Sequence, residues 1–386
     1  MPAGFRFDPC DLPEDATREL RRELRRFLAE ISADWTTVDR ARSWIAFDRD
    51  FSRAVGARGW IGMTWPKAYG GGARSAFERY VMLEEMLAAG APVGAHWIAD
   101  RQSGPLILRV GTESQKRDIL PRIARGELAF CIGLSEPDSG SDLASLRSRA
   151  TRVTGGWRLD GAKIWTTNAH HCDFMIGLFR TAPATETSRH AGLSQFMIDL
   201  TSSGIEIRPI ADLTGERHFN EVRFDGVFVP EDMIIGREGD GWAQVNAELA
   251  FERSGPDRYL SAFPLLPPAI DAVGKTGFSA ETARDLGRMV ARLATLRAMS
   301  LSVAGMLEAG ATPLNEAALV KDLGVDLEQA TPQFIEDLVG LPPGFSDPGG
   351  LAAATAFVTQ VAPTFSLRGG TREIMRGLTA RGLGLR

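Results

Sequence analysis

Apolar positions recur at the spacing of one helix face over residues 14–31, where Leu20, Leu24, Phe27, Leu28 and Ile31 follow Pro13. The same period runs through residues 51–59, 75–89 and 112–125, interrupted by turns such as Tyr69-Gly70-Gly71-Gly72. After Glu127 the pattern changes to short runs, most of them carrying β-branched or aromatic residues: 148–153, 156–159, 162–165, 174–179, 195–199, 205–210, 221–224 and 227–230. Asp160-Gly161 separates two of these runs and predicts a two-residue hairpin. Helical spacing returns over 242–253, 280–308, 314–327 and 351–367. The expected fold is mainly α with a β middle domain. It comprises an N-terminal helical domain (1–127), an antiparallel β-sheet domain (128–240) and a C-terminal helical bundle (241–386). Pro256 has no N–H, so a helix continuing past Glu252 would lose the i+4 partner of that carbonyl, and a break is expected there.

The 386 residues, 44% apolar and 24% charged, have an ordinary globular composition with room for two or three domains. A net charge of −5 argues against a nucleic-acid partner. The arginines at 21, 22, 25 and 26 alternate with Glu19, Glu23 and Glu30, the pattern of a solvated helix face. Three scattered cysteines suit neither a disulfide framework nor a zinc site, and the five histidines have no metal-ligand spacing, so no metal is expected. The first residues, Met1-Pro2-Ala3-Gly4-Phe5, carry no basic-then-apolar leader, and no apolar run reads as membrane-spanning. A cytoplasmic location without a membrane partner is the expectation.

Candidate chemistry lies in two segments. Leu134-Ser135-Glu136-Pro137-Asp138-Ser139-Gly140-Ser141-Asp142 is a hydroxyl- and glycine-rich turn, and Lys163-Ile164-Trp165-Thr166-Thr167-Asn168 is a strand end with an aromatic wall and small donors. Together they supply what a flavin ring needs: an apolar wall such as Trp165 and a donor such as Thr167 near the polar edge. Further segments stand in order along the chain: Trp65-Pro66-Lys67 with Tyr69-Gly70-Gly71, Gly111-Thr112 with Gln115-Lys116, Leu120-Pro121, Val229-Pro230, and Gly370-Thr371 with Glu373-Ile374.

On these residues the chain resembles the acyl-CoA dehydrogenase family of flavoenzymes over nearly its whole length. The resemblance implies a helical N-terminal domain, a β domain and a C-terminal four-helix bundle, usually in tetramers. It implies FAD as cofactor and an acyl-CoA thioester as substrate. A proton leaves Cα and a hydride leaves Cβ for flavin N5, giving a trans-2-enoyl-CoA, and electrons commonly pass on to an electron-transfer flavoprotein. By position, the implied flavin contacts are Ile132, Leu134, Ser135, Ser141, Trp165, Thr167, Thr371 and Glu373, with Ser141 where flavin and substrate meet.

Many members place the catalytic glutamate directly before the Gly-Thr of the last signature, where this chain has Gly369. Isovaleryl- and long-chain-type members instead use a Glu-Arg pair on the helix opening the bundle. Leu249-Ala250-Phe251-Glu252-Arg253 matches that arrangement. The expected base is therefore Glu252, with Arg253 fixing the structure around it. The Gly369 N–H would donate to the thioester oxygen, and Gly370 lies beside it at the substrate. A break at Pro256 would either leave room for a branched or cyclic acyl group or serve only to shape the bundle. The family's adenine-side Arg-x-x-Phe-Gly and Gln-x-x-Gly-Gly stretches are absent; the corresponding regions are 278–287 and 334–344. In this the chain is similar to subunits of hetero-tetrameric members acting on sterol side chains, so the oligomer is open between homomeric and heteromeric. An acyl-CoA oxidase or flavin monooxygenase on the same fold, and a weakly active partner subunit, are the alternatives.

Overall fold

The computed structural model describes residues 4–185, 187–341 and 347–385; the side chains of residues 248–252 and of Thr276 lie outside that description. The helices are α1 (Glu14–Ile31), α2 (Thr37–Arg42), α3 (Arg49–Gly56), α4 (Ala76–Ala88), α5 (Gly104–Val110), α6 (Glu113–Ala124), α7 (Gly241–Glu252), α8 (Leu266–Thr276), α9 (Ala280–Glu308), α10 (Leu314–Val339), α11 (Leu351–Phe365) and α12 (Arg372–Gly382). The strands are β1 (Phe130–Gly133), β2 (Arg149–Val153), β3 (Gly156–Lys163), β4 (Phe174–Arg180), β5 (Leu193–Asp199), β6 (Ile205–Ile210), β7 (Phe219–Pro230) and β8 (Ile234–Ile235). The chain divides into two compact units. One contains residues 1–46, 74–92 and 250–386, and the other residues 47–73 and 93–249.

The second unit is built on the sheet, in the order β6-β7-β3-β2-β4-β5-β8, with β1 beside β4. Most pairs are antiparallel, but β1–β4 and β2–β4 are parallel, so the sheet is mixed where an antiparallel one was expected. Trp157, Leu159, Phe179, Phe196, Val222, Phe224 and Val227 fill its core. The expected hairpin at Asp160-Gly161 does not form. These two residues lie inside one continuous strand, β3, at a register shift against β7. Asp160 Oδ1 accepts the Gly226 N–H at 2.9 Å, so its carboxylate ties the two strands rather than closing a turn. Gly161 is required because a Cβ there would sit 2.3 Å from Ser148 Oγ. Gly226, with φ 63°, is the matching irregularity that joins the expected runs 221–224 and 227–230 into β7. The β2–β3 turn uses Gly155 instead, at φ 79°.

The early motifs are structural. Trp65 is buried, and its ring lies where a Cβ on Gly104 or Gly62 would fall, 2.2 Å and 2.6 Å away. Gly70 would meet Pro121 Cα at 2.9 Å, which brings the Tyr69-Gly70-Gly71 and Leu120-Pro121 segments together. Thr112 and Gln115 form a reciprocal capping box at the start of α6. The Gln115 amide then donates to Asp232 O at 2.6 Å and Ile234 O at 2.9 Å, tying that helix to the chain leaving β7.

In the first unit α1 lays Leu20, Leu24, Phe27 and Leu28 against α4. The face read as solvated is in part an ion-pair surface: Arg21 pairs with Glu85 and, at 2.9 Å, with Glu84, and Arg25 Nε reaches Glu85 at 2.8 Å. Arg297 of α9 meets the same Glu84 at 2.5 Å. The two carboxylates are themselves mostly buried; Arg21 turns in toward them, while Arg25 reaches Glu85 from an exposed position. Helix α9 is, by length and composition, apolar enough to cross a membrane, with an 18-residue window of mean hydropathy 1.3; this corrects the reading that no run is. Here it packs beside α4 and α10.

The break at Pro256 is present. Helix α7 ends at Glu252, Gly255 is extended, and a short 3-10 turn, Pro256–Arg258, follows. That turn is buried against α10 at Gly324, where a Cβ would lie 2.1 Å from Arg258 O. Helices α8 and α12 escaped the periodicity reading. Prolines in the first turn of α8 look like breakers although helices tolerate them there, and α12 has only Met375 buried.

Buried His96 lies within hydrogen-bond distance of Ser52 Oγ, 2.8 Å from Nδ1. Burial pushes its imidazole down to about 4, against the opposing pull of Asp100. The unfolded chain therefore binds more protons between pH about 6.5 and about 4, and stability falls as pH falls through that window, by up to about 3 kcal/mol. Urea unfolding across pH 7 to 4 is expected to show this slope in the wild type and lose it in His96→Asn; an unchanged slope in the variant would assign it elsewhere.

Candidate active site

The two hydroxyl-rich segments meet in the second unit. The Ile164 N–H donates to Ser135 O at 2.9 Å, so the start of the first segment lies directly beside the Trp165 strand end. Glu136 holds the junction. Its Oε1 accepts from Lys163 Nζ at 2.7 Å, and its carboxylate also receives the Arg147 N–H at 2.6 Å and the Ser148 N–H at 3.0 Å. Lys163 Nζ additionally reaches Leu134 O at 3.3 Å and lies 4.9 Å from the Phe179 ring centre. Lys163 is wholly buried and Glu136 nearly so. Burial pushes the Lys163 ammonium down to about 8, opposed by the neighbouring carboxylate. Burial alone would raise the Glu136 carboxyl, but the Lys163 charge and the hydrogen bonds it receives outweigh this and hold it below its usual range.

From this anchor the candidate flavin residues take defined places. Ile132 lies in β1, paired with Ile176. Leu134 packs with Leu146, Leu178, Leu193 and Val245. Ser135 and Thr167 are half-buried and Ser141 is exposed. Trp165 has φ 60°, a left-handed conformation unusual for a bulky residue, and its indole is 57% exposed. Phe219 supports it edge-on, with ring centres 5.9 Å apart. Asn168, with φ 55°, turns the chain back, and this turn is stitched to β7 and its approach. Thr166 N donates to Asn220 O at 3.0 Å, Asn168 N to His218 O at 2.6 Å, and the Asn220 amide to Thr166 O at 2.9 Å. Strained backbone that the surroundings over-determine, presenting a large aromatic to solvent, is a recurring feature of ligand sites. Thr166 Oγ1 and Ser139 Oγ are buried without a hydrogen-bond partner among the described residues. A flat heteroaromatic with polar edges fits this donor set and the Trp165 face.

The first unit carries the other candidates. Glu252 is the last residue of α7, and its side chain lies outside the described residues. Arg253 is buried and its Nε donates to Gly369 O at 3.1 Å, so it touches the glycine turn expected at the substrate. Gly369 and Gly370 both have positive φ, 64° and 99°. The buried Lys321 Nζ donates to Gly370 O. Thr371 caps α12, its hydroxyl accepting from Ile374 N at 3.4 Å. Glu373, exposed in the first turn of α12, has its carboxyl lowered by its own backbone amide and by the Thr371 hydroxyl. Of the adenine-side stretch 334–344, residues up to 339 belong to α10, and 342–344 lie outside the described residues.

Sequence reasoning missed Lys163, Glu136 and Lys321 as the groups that position these segments. Lys163 is in phase with the inward-facing Trp157 and Leu159, and a lysine at an inward strand position was the available signal.

Family models described as the acyl-CoA dehydrogenase N-terminal domain and middle domain match residues 14–127 and 131–227. The chain belongs to the acyl-CoA dehydrogenase family. Family members are FAD-dependent flavoproteins with an oxidoreductase role. The acyl-CoA dehydrogenase FadE34 of Mycobacterium tuberculosis is 32% identical across 94% of this chain, which spans 50% of the length of that relative. FadE29 of the same organism is 29% identical over 94% of this chain and 95% of its own length. Among solved structures, the Tcur3481-Tcur3483 steroid ACAD is 28% identical with a TM-score of 0.86, covering 97% of this chain and 99% of that one. The ChsE4-ChsE5 complex from M. tuberculosis is also 28% identical, with a TM-score of 0.82 over 96% of this chain and 97% of that one.

Removing one member of a buried ion pair strands the other charge, which typically costs about 3–5 kcal/mol. Lys163→Met is expected to lose that much in urea unfolding, and the Glu136→Gln/Lys163→Met double variant to regain a good part of it. A single variant within about 0.5 kcal/mol of wild type would show that the pair does not hold the junction.

Proposed function

We propose that this dehydrogenase family member oxidises the Cα–Cβ bond of an acyl-CoA thioester to a trans-2-enoyl-CoA, with FAD as its cofactor and Glu252 as the base. The observation that carries the reading is the junction of the two signatures: Ser135 and Ile164 are hydrogen-bonded, and the buried Glu136–Lys163 pair fixes them in one register. Ile132, Leu134, Ser135, Ser141, Trp165 and Thr167 would hold the ring end of the cofactor, and Thr371 and Glu373 would serve it from the capped start of α12. The bound flavin supplies an acceptor for the hydride that leaves Cβ.

The chain's own residues do the rest. The Glu252 carboxylate takes the Cα proton, and as that bond breaks its electron pair spreads toward the thioester oxygen. Backbone N–H groups of the Gly369–Gly370 turn meet the developing charge there. Gly369 leaves free the volume that a glutamate side chain would fill, in keeping with a base supplied from the end of α7. Arg253, joined to Gly369 O, couples the residue after the base to this turn.

The substrate in this reading is a bulky, branched or polycyclic acyl-CoA. The break of α7 before Pro256 supports it, as does likeness to a steroid-acting relative. A second, non-identical chain is the proposed partner for completing the adenine end of the cofactor site, a reading supported by the paired names of the two solved structures described above. An electron-transfer flavoprotein is the proposed acceptor.

Anaerobic mixing of the complex, purified with its native partner, with a panel of acyl-CoAs is expected to bleach the flavin absorbance, fastest with a polycyclic acyl group. Glu252→Gln should keep its flavin and bleach about 10²–10⁴-fold more slowly. A Glu252→Gln protein that bleaches at the wild-type rate would remove that residue from the mechanism, and a straight medium chain reacting fastest would defeat the bulky-substrate reading.

A further inference from the structure

The turn before α12 is gripped at several points from α10. Glu328 Oε2 accepts from Arg368 Nη2 at 2.7 Å, Asp322 Oδ1 from Arg372 Nε at 2.7 Å, and Asp322 Oδ2 from Arg376 Nε at 3.3 Å. Between these ion pairs the hydrogen bonds change character. The cationic donors Arg253 and Lys321 address the backbone itself, on the successive carbonyls Gly369 O and Gly370 O. Both donors are buried, Lys321 completely.

Each peptide is planar and trans, so fixing its C=O also fixes the N–H on the opposite side. Arg253 on Gly369 O therefore aims the Gly370 N–H, and Lys321 on Gly370 O aims the Thr371 N–H. Hydrogen bonding to a carbonyl also polarises the amide joined to it, and a charged donor does so more strongly than a neutral one. Positive φ at both glycines is a backbone conformation that residues with side chains disfavour. A side chain would interfere: a Cβ on Gly370 would come 3.0 Å from Met375 Cε and 3.7 Å from Arg253 Nη2.

We propose that Lys321, together with Arg253, is a positioning residue: by ordering the Gly369–Thr371 turn and polarising its Gly370 and Thr371 amides it holds the Gly369 N–H where it meets negative charge on the thioester oxygen. This rests on the acyl-CoA reading above for the identity of the oxygen, but the ordering of the turn does not depend on it. Lys321 touches neither the proton nor the hydride; it acts through the backbone.

The test uses the flavin-loaded complex and two variants. Lys321→Met removes the donor and the charge, and Lys321→Gln keeps a neutral donor. Amide hydrogen exchange over residues 367–374 reads the order of the turn. The red shift of bound furylacryloyl-CoA reads carbonyl polarisation, and anaerobic bleaching by the best acyl-CoA of the panel reads the rate. Lys321→Met is expected to exchange at least tenfold faster in that segment alone, to lose most of the red shift, and to bleach about tenfold more slowly with under threefold change in substrate affinity. Lys321→Gln is expected to restore protection from exchange but not the full shift. Wild-type exchange in Lys321→Met overturns the proposal, as does an unchanged shift and rate despite faster exchange. If the wild type itself neither bleaches nor shifts its ligand, the acyl-CoA reading fails. The exchange measurement then still decides whether Lys321 orders the turn.

Discussion

One buried contact, Glu136 Oε1 to Lys163 Nζ at 2.7 Å, decides the shape of the candidate site in the β unit. The loop between β1 and β2 is rich in serine, glycine and aspartate, residues that leave a backbone without strong preference. Glu136 removes that freedom by receiving hydrogen bonds from Lys163 on one side and from the Arg147 and Ser148 amides on the other. The lysine in turn occupies the inward-facing last position of β3, two residues before Trp165. The pair thus transmits the rigidity of the sheet core into two segments that would otherwise be loops. Such a pair adds little net stability compared with apolar packing, but removing half of it is costly, which suits a device for specifying one geometry.

A similar logic governs the glycine turn of the other unit. There the backbone has no side chain to anchor it, and the surrounding helices supply the anchors. The Glu328 carboxyl, raised by burial against the pull of Arg368, accepts from the Arg368 guanidinium and from the Ser261 N–H at 2.8 Å. Arg368 also lies over the Trp44 and Phe365 rings at 4.5 and 4.6 Å. The segment therefore enters the turn from a fixed point and leaves it through the Thr371 cap of α12. In both units the candidate-site backbone is irregular, and Lys163 on β3 and Lys321 and Glu328 on α10 hold it from regular elements, an arrangement that gives more precision than loops alone provide.

Much of this was legible from residue patterns. Periodicity placed α1, α4, α6 and α9 closely; α1 buries one stripe, whereas α4 is buried all round from Tyr80 to Leu87 and is bounded by its Ser75 cap. The break after α7 followed from a proline's missing N–H. What escaped had physical causes. Asp160-Gly161 reads as a turn because its local chemistry is that of a turn, yet the Asp160 side chain bonds across to Gly226 and the strand runs on. Parallel neighbours for β4 are set by long-range topology that leaves no local mark. The charged anchors are invisible as such: Lys163 is one residue of a longer motif and Lys321 one lysine on a helix, because burial, not identity, gives them their role. Motif positions such as Trp65 and Gln115 drew notice as family marks, and the structure shows what each does: a core ring flanked by glycines, and a capping amide that also ties down the chain after β7.

In the proposed function the joined signatures form a flavin cradle with Trp165 as its wall. Titration of the stripped complex with FAD, wild type against Trp165→Ala, tests this most directly. Loss of an aromatic wall worth about 1.4 kcal/mol should weaken FAD binding roughly tenfold without changing the unfolding midpoint of the protein. Equal affinity in the two proteins would contradict the assignment of this junction as the cofactor site.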